Sequence, residues 1–160
     1  VGDFVDGLVE SGELSLDPSR LYLTGVSMGG YGTWLAGSGT VGFKSGGAEP
    51  SSKLRPRFAA IAPVCGAGSA DPATLDGVPV WAFHGANDVV VPVGVSDETI
   101  QALRQRRSNT NEDYPEVKYT RYEVAPAPTG WESYAGHASW KLAYEGPELF
   151  EWMLRFRNAP

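Results

Sequence analysis

The chain has 160 residues, 42% of them hydrophobic and 20% charged, enough for one domain to bury roughly two-thirds of its unfolded surface without a metal or disulfide staple. Lys plus Arg number 13 against 19 Asp plus Glu, and the resulting −6 is the wrong sign for a surface that neutralises phosphates, so nucleic acid is not an expected partner. One cysteine excludes an internal disulfide, the two histidines leave no Cys/His set for a structural zinc site, and no window approaches the roughly 18 apolar residues of a membrane span.

Val1, Phe4, Val5, Leu8 and Val9 recur at spacings of three and four, which predicts a short helix ending near Ser11 and Gly12. The chain begins at Val1, and its methionines are Met28 and Met153, so a piece of something longer is expected. The turn-rich SLDPSR leads into LYLTG, a short apolar run closed by glycine, and then into a helical segment over residues 29–36: strand, tight turn, helix. Residues 37–57 are rich in Gly, Ser and Pro with basic residues among them, as an exposed excursion would be.

Residues 58–64 (FAAIAPV) and 78–85 (VPVWAFHG) are continuous apolar runs closed by turn residues, the pattern of strands covered on both faces, with a weak helix at most between them. A polar amphipathic helix is predicted over 96–106, where Ile100 and Leu103 form the buried stripe, and residues 117–124 alternate as a strand. A Pro/Gly/aromatic loop follows over 125–140. Pro147 suits the first turn of a closing helix whose apolar face is Leu149, Phe150, Met153 and Leu154. Four strands separated by helices or long crossovers predict an α/β fold with a parallel sheet, in which functional groups gather at the carboxyl ends of the strands.

Gly25-Val26-Ser27-Met28-Gly29 is G-x-S-x-G between a predicted strand and a predicted helix. A serine hydroxyl becomes a usable nucleophile when it projects from a sharp turn towards a base. Gly25, Gly29 and Gly30 stand where a Cβ would crowd the neighbouring strand or helix. The same pattern also reads as a Gly/Ser turn with Ser27 capping the helix.

Such a serine needs a general base and an acid that fixes the base's tautomer. Only His84 and His137 can supply an imidazole. For this strand–turn–helix type of nucleophile the chain order is nucleophile, acid, histidine, and Ser27, Asp88, His137 satisfies it, with Asp88 just beyond the VWAFHG run and His137 in the loop after the last strand. Asp88 could alternatively be a turn-forming residue, leaving Asp71, Asp76 and Asp97 as substitutes for the acid. His84 precedes any suitable acid, so its expected role is structural, packing and hydrogen-bonding below the turn that presents Asp88. Cys65 has nothing basic beside it and reads as a small buried filler. Tyr31, Trp131, Tyr134 and Trp140 flank the nucleophile or histidine and are candidates for a substrate pocket or for core packing.

The stretches DPSRLYLTGVSMGGYGTW, VPVWAFHGANDVVVPV and GHASWKLAYEGPELFEWML, spread over residues 17–154, resemble the α/β-hydrolase superfamily, and more narrowly the secreted esterases related to polyhydroxybutyrate depolymerases and feruloyl esterases. The resemblance implies Ser27 as nucleophile, Asp88 as acid, His137 as base and the backbone N–H of Met28 as one oxyanion donor. Of the flanking aromatics, Tyr31, Trp131 and Trp140 are the expected substrate-binding residues by their position in the sequence, and serine chemistry of this kind needs no metal or organic cofactor. The resemblance further implies a serine carboxylic-ester hydrolase acting on a small-molecule or polymer ester and exported from the cytoplasm. A serine peptidase of prolyl-oligopeptidase type shares the elbow and triad order, and a non-catalytic hydrolase fragment is a third reading.

The resemblance maps residues 1–160, as a single partial domain, onto the last four of about eight strands. The first half would supply a second oxyanion N–H and cover the sheet edge at residues 21–24. Association with an N-terminal half or a second chain through that edge is therefore expected.

Overall fold

The computed structural model describes residues 2–38, 58–68, 72–109 and 116–158, with side chains from residue 7 onward. Helix α1 (Gly2–Ser11) forms as the spacing predicts, with Leu8 and Val9 half-buried. Val1 and the side chains of Phe4 and Val5 lie outside the described residues, as do residues 39–57 of the predicted excursion. A 3-10 turn (Pro18–Arg20), capped by the Asp17 side chain on the Ser19 N–H, turns the chain into the sheet.

Four strands, β1 (Tyr22–Val26), β2 (Ala60–Val64), β3 (Val80–Gly85) and β4 (Val117–Tyr122), pair in parallel in the order β1-β2-β3-β4. Their carboxyl ends are level, since Val26 pairs with Val64, Val64 with Phe83 and Gly85 with Tyr122. Helices α2 (Met28–Gly37) and α3 (Gly94–Ser108) cover one face of the sheet. The short α4 (Trp140–Ala143) and α5 (Glu148–Met153) cover the other.

The period-2 geometry of strands sorts the core. Ile61, Val80 and Ala82 pack with Trp34 of α2 and Ile100 and Leu103 of α3, while Ala60, Ala62, Val64 and Phe83 pack with Ala143, Leu149, Trp152 and Met153. The inner strands β2 and β3 are thus buried on both faces, as their continuous apolar runs predict. The outer strands β1 and β4 are mostly half-buried, because each has a neighbour on one side only among the described residues.

Several boundaries differ from the sequence reading. The weak helix between β2 and β3 is a 3-10 turn (Pro72–Leu75) that drives Leu75 into the core. Helix α3 starts before residue 96, and β4 stops at Tyr122 instead of 124. The closing helix is only six residues long, with Pro147 at its cap. Its buried set is Leu149, Trp152 and Met153, whereas Phe150 and Leu154 point outward. Residue 150 lies about 100° round the helix from Leu149, and it stacks instead on Tyr144 at 6.3 Å. No helix among the described residues is long and apolar enough to cross a membrane.

Candidate active site

Ser27 sits at the junction of β1 and α2 with φ 54° and ψ −117°, a conformation that costs a non-glycine residue about 1–3 kcal/mol and so must be held by its surroundings. It is held by its own N–H donating to Val64 O at 2.9 Å and by the Tyr31 N–H donating to Ser27 O at 3.1 Å. The turn also needs close backbone packing. A Cβ on Gly25 would meet the Gly29 carbonyl and, at 2.9 Å, Thr33 Oγ1; one on Gly30 would meet Val64 O and, at 2.9 Å, Gly66 Cα. Gly29 is a correction to the sequence reading: a Cβ there meets nothing within 4 Å, so sterics do not require glycine at this position. The Ser27 side chain makes no capping bond to α2, which removes the helix-cap reading and leaves the hydroxyl for another partner.

That partner is His137. Its Nε2 lies 2.9 Å from Ser27 Oγ, and its Nδ1 lies 2.8 Å from Asp88 Oδ2. A carboxylate only accepts, so Nδ1 carries the proton towards Asp88 and the Nε2 lone pair of the neutral ring faces the serine hydroxyl. Ser27 follows β1, Asp88 follows β3 and His137 follows β4, so the level strand ends bring three distant segments to one rim. The alternative acids are engaged elsewhere: Asp76 binds Arg106 Nε at 2.8 Å, and Asp97 accepts from Tyr119 Oη at 2.7 Å and pairs with Arg121. Asp71 lies outside the described residues.

The Asp88 side chain is fully buried, and its two oxygens face four donors. Oδ1 accepts the N–H groups of Val90 at 2.8 Å and Val91 at 3.0 Å, while Oδ2 faces His137 Nδ1 and, at 3.3 Å, His84 Nε2. Burial on its own would push the carboxyl up. The hydrogen bonds from His84, His137, Val91 and Val90 outweigh it and hold the group down to about 2. Asp88 is therefore a turn-former as well, its Oδ1 closing the turn while Oδ2 serves the histidine.

Two features that tie the acid turn to the histidine loop were missed in the sequence. Asn87 bridges the loops, its Nδ2 donating to Ala125 O at 3.1 Å and its Oδ1 accepting from the Ala125 N–H at 2.8 Å. Gly136, at φ 77°, lies against the Asn87–Asp88 peptide, where a Cβ would come within 2.5 Å of the Asp88 nitrogen. The Val89 N–H also donates to Ala135 O at 3.1 Å. The visible signal was position alone: Asn87 precedes the acid and Gly136 precedes the histidine.

Met28, next to Ser27, is 84% exposed and Val89, next to Asp88, 65%; Trp131 is 59% and Tyr31 41% exposed. Trp140 lies edge-on to the His137 ring at 5.6 Å, and Trp131 packs against Tyr134 at 5.3 Å. Met28 opens α2, so its N–H has no carbonyl one turn earlier to bind. Cys65 is fully buried at φ 41°, with its thiol pushed up to about 11 by burial, so it fits the filler reading and not that of a nucleophile.

No family model matches the sequence, and comparison with curated proteins finds no match. Solved structures do match. A thermostable esterase superposes with a TM-score of 0.73 at 30% identity over 98% of this chain and 35% of its own. A Klebsiella pneumoniae protein provisionally described as a dienelactone hydrolase gives 0.63 at 19% identity, over 95% of this chain and 59% of its own. An acylaminoacyl peptidase from Pyrococcus horikoshii gives 0.54 at 17% identity, over 91% of this chain and 27% of its own. The chain thus spans about a third of the length of the esterase it resembles. These superpositions show that the four-stranded parallel sheet with its flanking helices has the α/β-hydrolase fold.

Proposed function

We propose that the protein is a serine carboxylic-ester hydrolase with Ser27 as nucleophile, His137 as general base and Asp88 as the acid that orients it. The observation that carries this reading is the His137 ring lying between Ser27 Oγ at 2.9 Å and Asp88 Oδ2 at 2.8 Å. Ser27 Oγ attacks the ester carbonyl as its proton passes to His137 Nε2, and the imidazolium is stabilised by the Asp88 carboxylate across Nδ1. The Met28 N–H serves as one donor to the oxyanion that forms, a role for which a free helix-terminal amide is suited. His137 then returns the proton to the leaving alcohol, and water cleaves the acyl-enzyme by the same steps.

The exposed side chains of Met28, Val89, Tyr31 and Trp131 suit an ester with an apolar acyl or alcohol part. Peptide amides need the same three groups, so preference is set by comparing turnover of p-nitrophenyl acetate with that of an N-acyl peptide anilide.

The test is labelling of the full-length protein with a fluorophosphonate probe, with the modified residue mapped by mass spectrometry and Ser27→Ala as control. Modification at Ser27, lost in Ser27→Ala together with p-nitrophenyl acetate hydrolysis, is expected. A folded protein that hydrolyses the ester but is labelled elsewhere, or not at all, would overturn the assignment.

A further inference from the structure

The second histidine lies on the far side of the same carboxylate. His84 ends β3 on the sheet face covered by α3 and is fully buried. Its Nε2 is 3.0 Å from Val91 O and 3.3 Å from Asp88 Oδ2. Both atoms only accept, so Nε2 carries the proton and shares it between them. Its Nδ1 is 2.7 Å from the hydroxyl of Ser96, which is buried on α3 and lies 3.3 Å from Gly66 O. The acceptor-only partners of Nε2 set the tautomer, and the neutral ring's Nδ1 then accepts the single Ser96 hydroxyl proton over this 2.7 Å contact, which is shorter than the 3.3 Å contact to Gly66 O and fixes the ring plane.

We propose that His84, held by Ser96, is a positioning residue for the acid: its Nε2–H at Oδ2 and the Val91 N–H at Oδ1 together hold the Asp88 carboxylate so that Oδ2 lies in line with His137 Nδ1. The geometry closes on itself. Val91 donates its N–H to Asp88 Oδ1 at 3.0 Å and receives His84 Nε2–H on its carbonyl, so one residue ties the acid turn to the carboxylate and to β3. Without the His84 donor, Oδ2 retains His137 as its only side-chain partner among the described residues, and the turn keeps only the backbone bond from the Asp88 N–H to Gly85 O as a link to β3. The carboxylate, still anchored at Oδ1 by the Val90 and Val91 N–H groups, can then pivot about that anchor and carry Oδ2 away from Nδ1. Misplacement of a catalytic group by about 1 Å is enough to cost on the order of 100-fold in rate.

The proposal rests on the triad reading for its kinetic readout, so the test includes one readout that does not. His84→Gln keeps an N–H near the position of Nε2, whereas His84→Leu fills similar space without a donor. In the full-length protein the strongly downfield proton of the His137 Nδ1–H to Asp88 bond is followed by NMR, beside kcat and KM for p-nitrophenyl acetate.

The resonance is expected to persist in His84→Gln and to be lost or moved upfield in His84→Leu. The kcat is expected to fall about 10- to 100-fold in His84→Leu with KM little changed, and to be substantially rescued in His84→Gln. A folded His84→Leu with the resonance and kcat of the parent would overturn the proposal, as would equal losses in the two variants. Should His84→Leu fail to fold, Ser96→Ala carries the test. It is expected to shift the resonance and lower kcat about 2- to 10-fold, the scale of one lost hydrogen bond, and an unchanged resonance and rate would refute the role. A parent protein that is not labelled at Ser27 would count against the esterase reading alone, because the resonance still reports on Asp88.

Discussion

Replacing Asp88 by Asn separates the acid's contribution to folding from its contribution to chemistry. The carboxyl titrates near 3.8 in an unfolded chain and at about 2 in the folded one, so between those values the unfolded chain takes up a proton that the folded chain does not. The contribution to stability is therefore complete above pH about 4 and is lost as pH falls through about 2. At about 1.4 kcal/mol per tenfold, the interval from 3.8 to about 2 amounts to roughly 2 kcal/mol. The side chain is fully buried, so little of this is lost to solvent screening.

Asp88→Asn removes that charge and can turn an NH2 group against His137 Nδ1–H. Urea unfolding of both proteins at pH 4.5, 3.5, 2.5 and 2 is the assay, a window that lies below the ordinary range of histidine titration. The parent is expected to lose about 2 kcal/mol more than Asp88→Asn across the window, so that the two curves converge at the acid end. Parallel curves, separated by a constant gap, would refute the claim that the four donors stabilise the charged form. At neutral pH the same substitution should lower kcat by about 10⁴-fold, because Nδ1–H loses its acceptor and the wrong tautomer faces Ser27.

Other substitutions test the packing that brings the loops together. Gly136→Ala should destabilise by about 1–3 kcal/mol and lower kcat with it, since the new Cβ meets the Asn87–Asp88 peptide at a positive φ; thermal melts and p-nitrophenyl acetate turnover read both. Gly29→Ala should instead leave activity intact and raise stability by up to about 1 kcal/mol, because its Cβ enters open space on a helix; a loss of stability would show that the elbow is tighter than its geometry indicates. Cys65 should resist iodoacetamide at pH 8 in the folded protein and react readily in urea, as expected of a buried thiol pushed up to about 11; rapid native alkylation, followed by mass spectrometry, would contradict its burial.

The parts of this molecule legible in its sequence are those with a local cause. The continuous apolar runs that become β2 and β3 are readable because burial on both faces demands them, and LYLTG followed by G-x-S-x-G is readable because a strand must turn sharply to present a serine. Chain order and strand-end placement singled out Asp88 and His137, which the sheet brings together through the level ends of β3 and β4. Less legible was anything that depends on contact between loops. Asn87 reads as an ordinary turn residue until Ala125 is seen against it, and Gly136 reads as loop glycine until the Asn87 peptide occupies the space beside it. The outward turn of Phe150 was hidden for a related reason: apolar spacing marks a helix but does not show which side the sheet will take.

The three candidate residues are anchored to different degrees, and this bears on how such a site would fail. Ser27 is bound through its own N–H to the inner strand β2, and Asp88 is buried among four donors beside the inner strand β3. His137 comes from a long loop after β4, an outer strand that is mostly half-buried, and its backbone holds reach only within the loop and to the acid turn. Among the described residues that loop is the one of the three not hydrogen-bonded to an inner strand, so its opening should be the lowest-energy local motion that disrupts the site. Asn87, Gly136 and the Val89–Ala135 hydrogen bond oppose that motion, and all three act on the acid turn instead of on the sheet. The acid turn is consequently the foundation on which the histidine is placed, and the clamp of His84 and Ser96 beneath it supports the base as much as the acid.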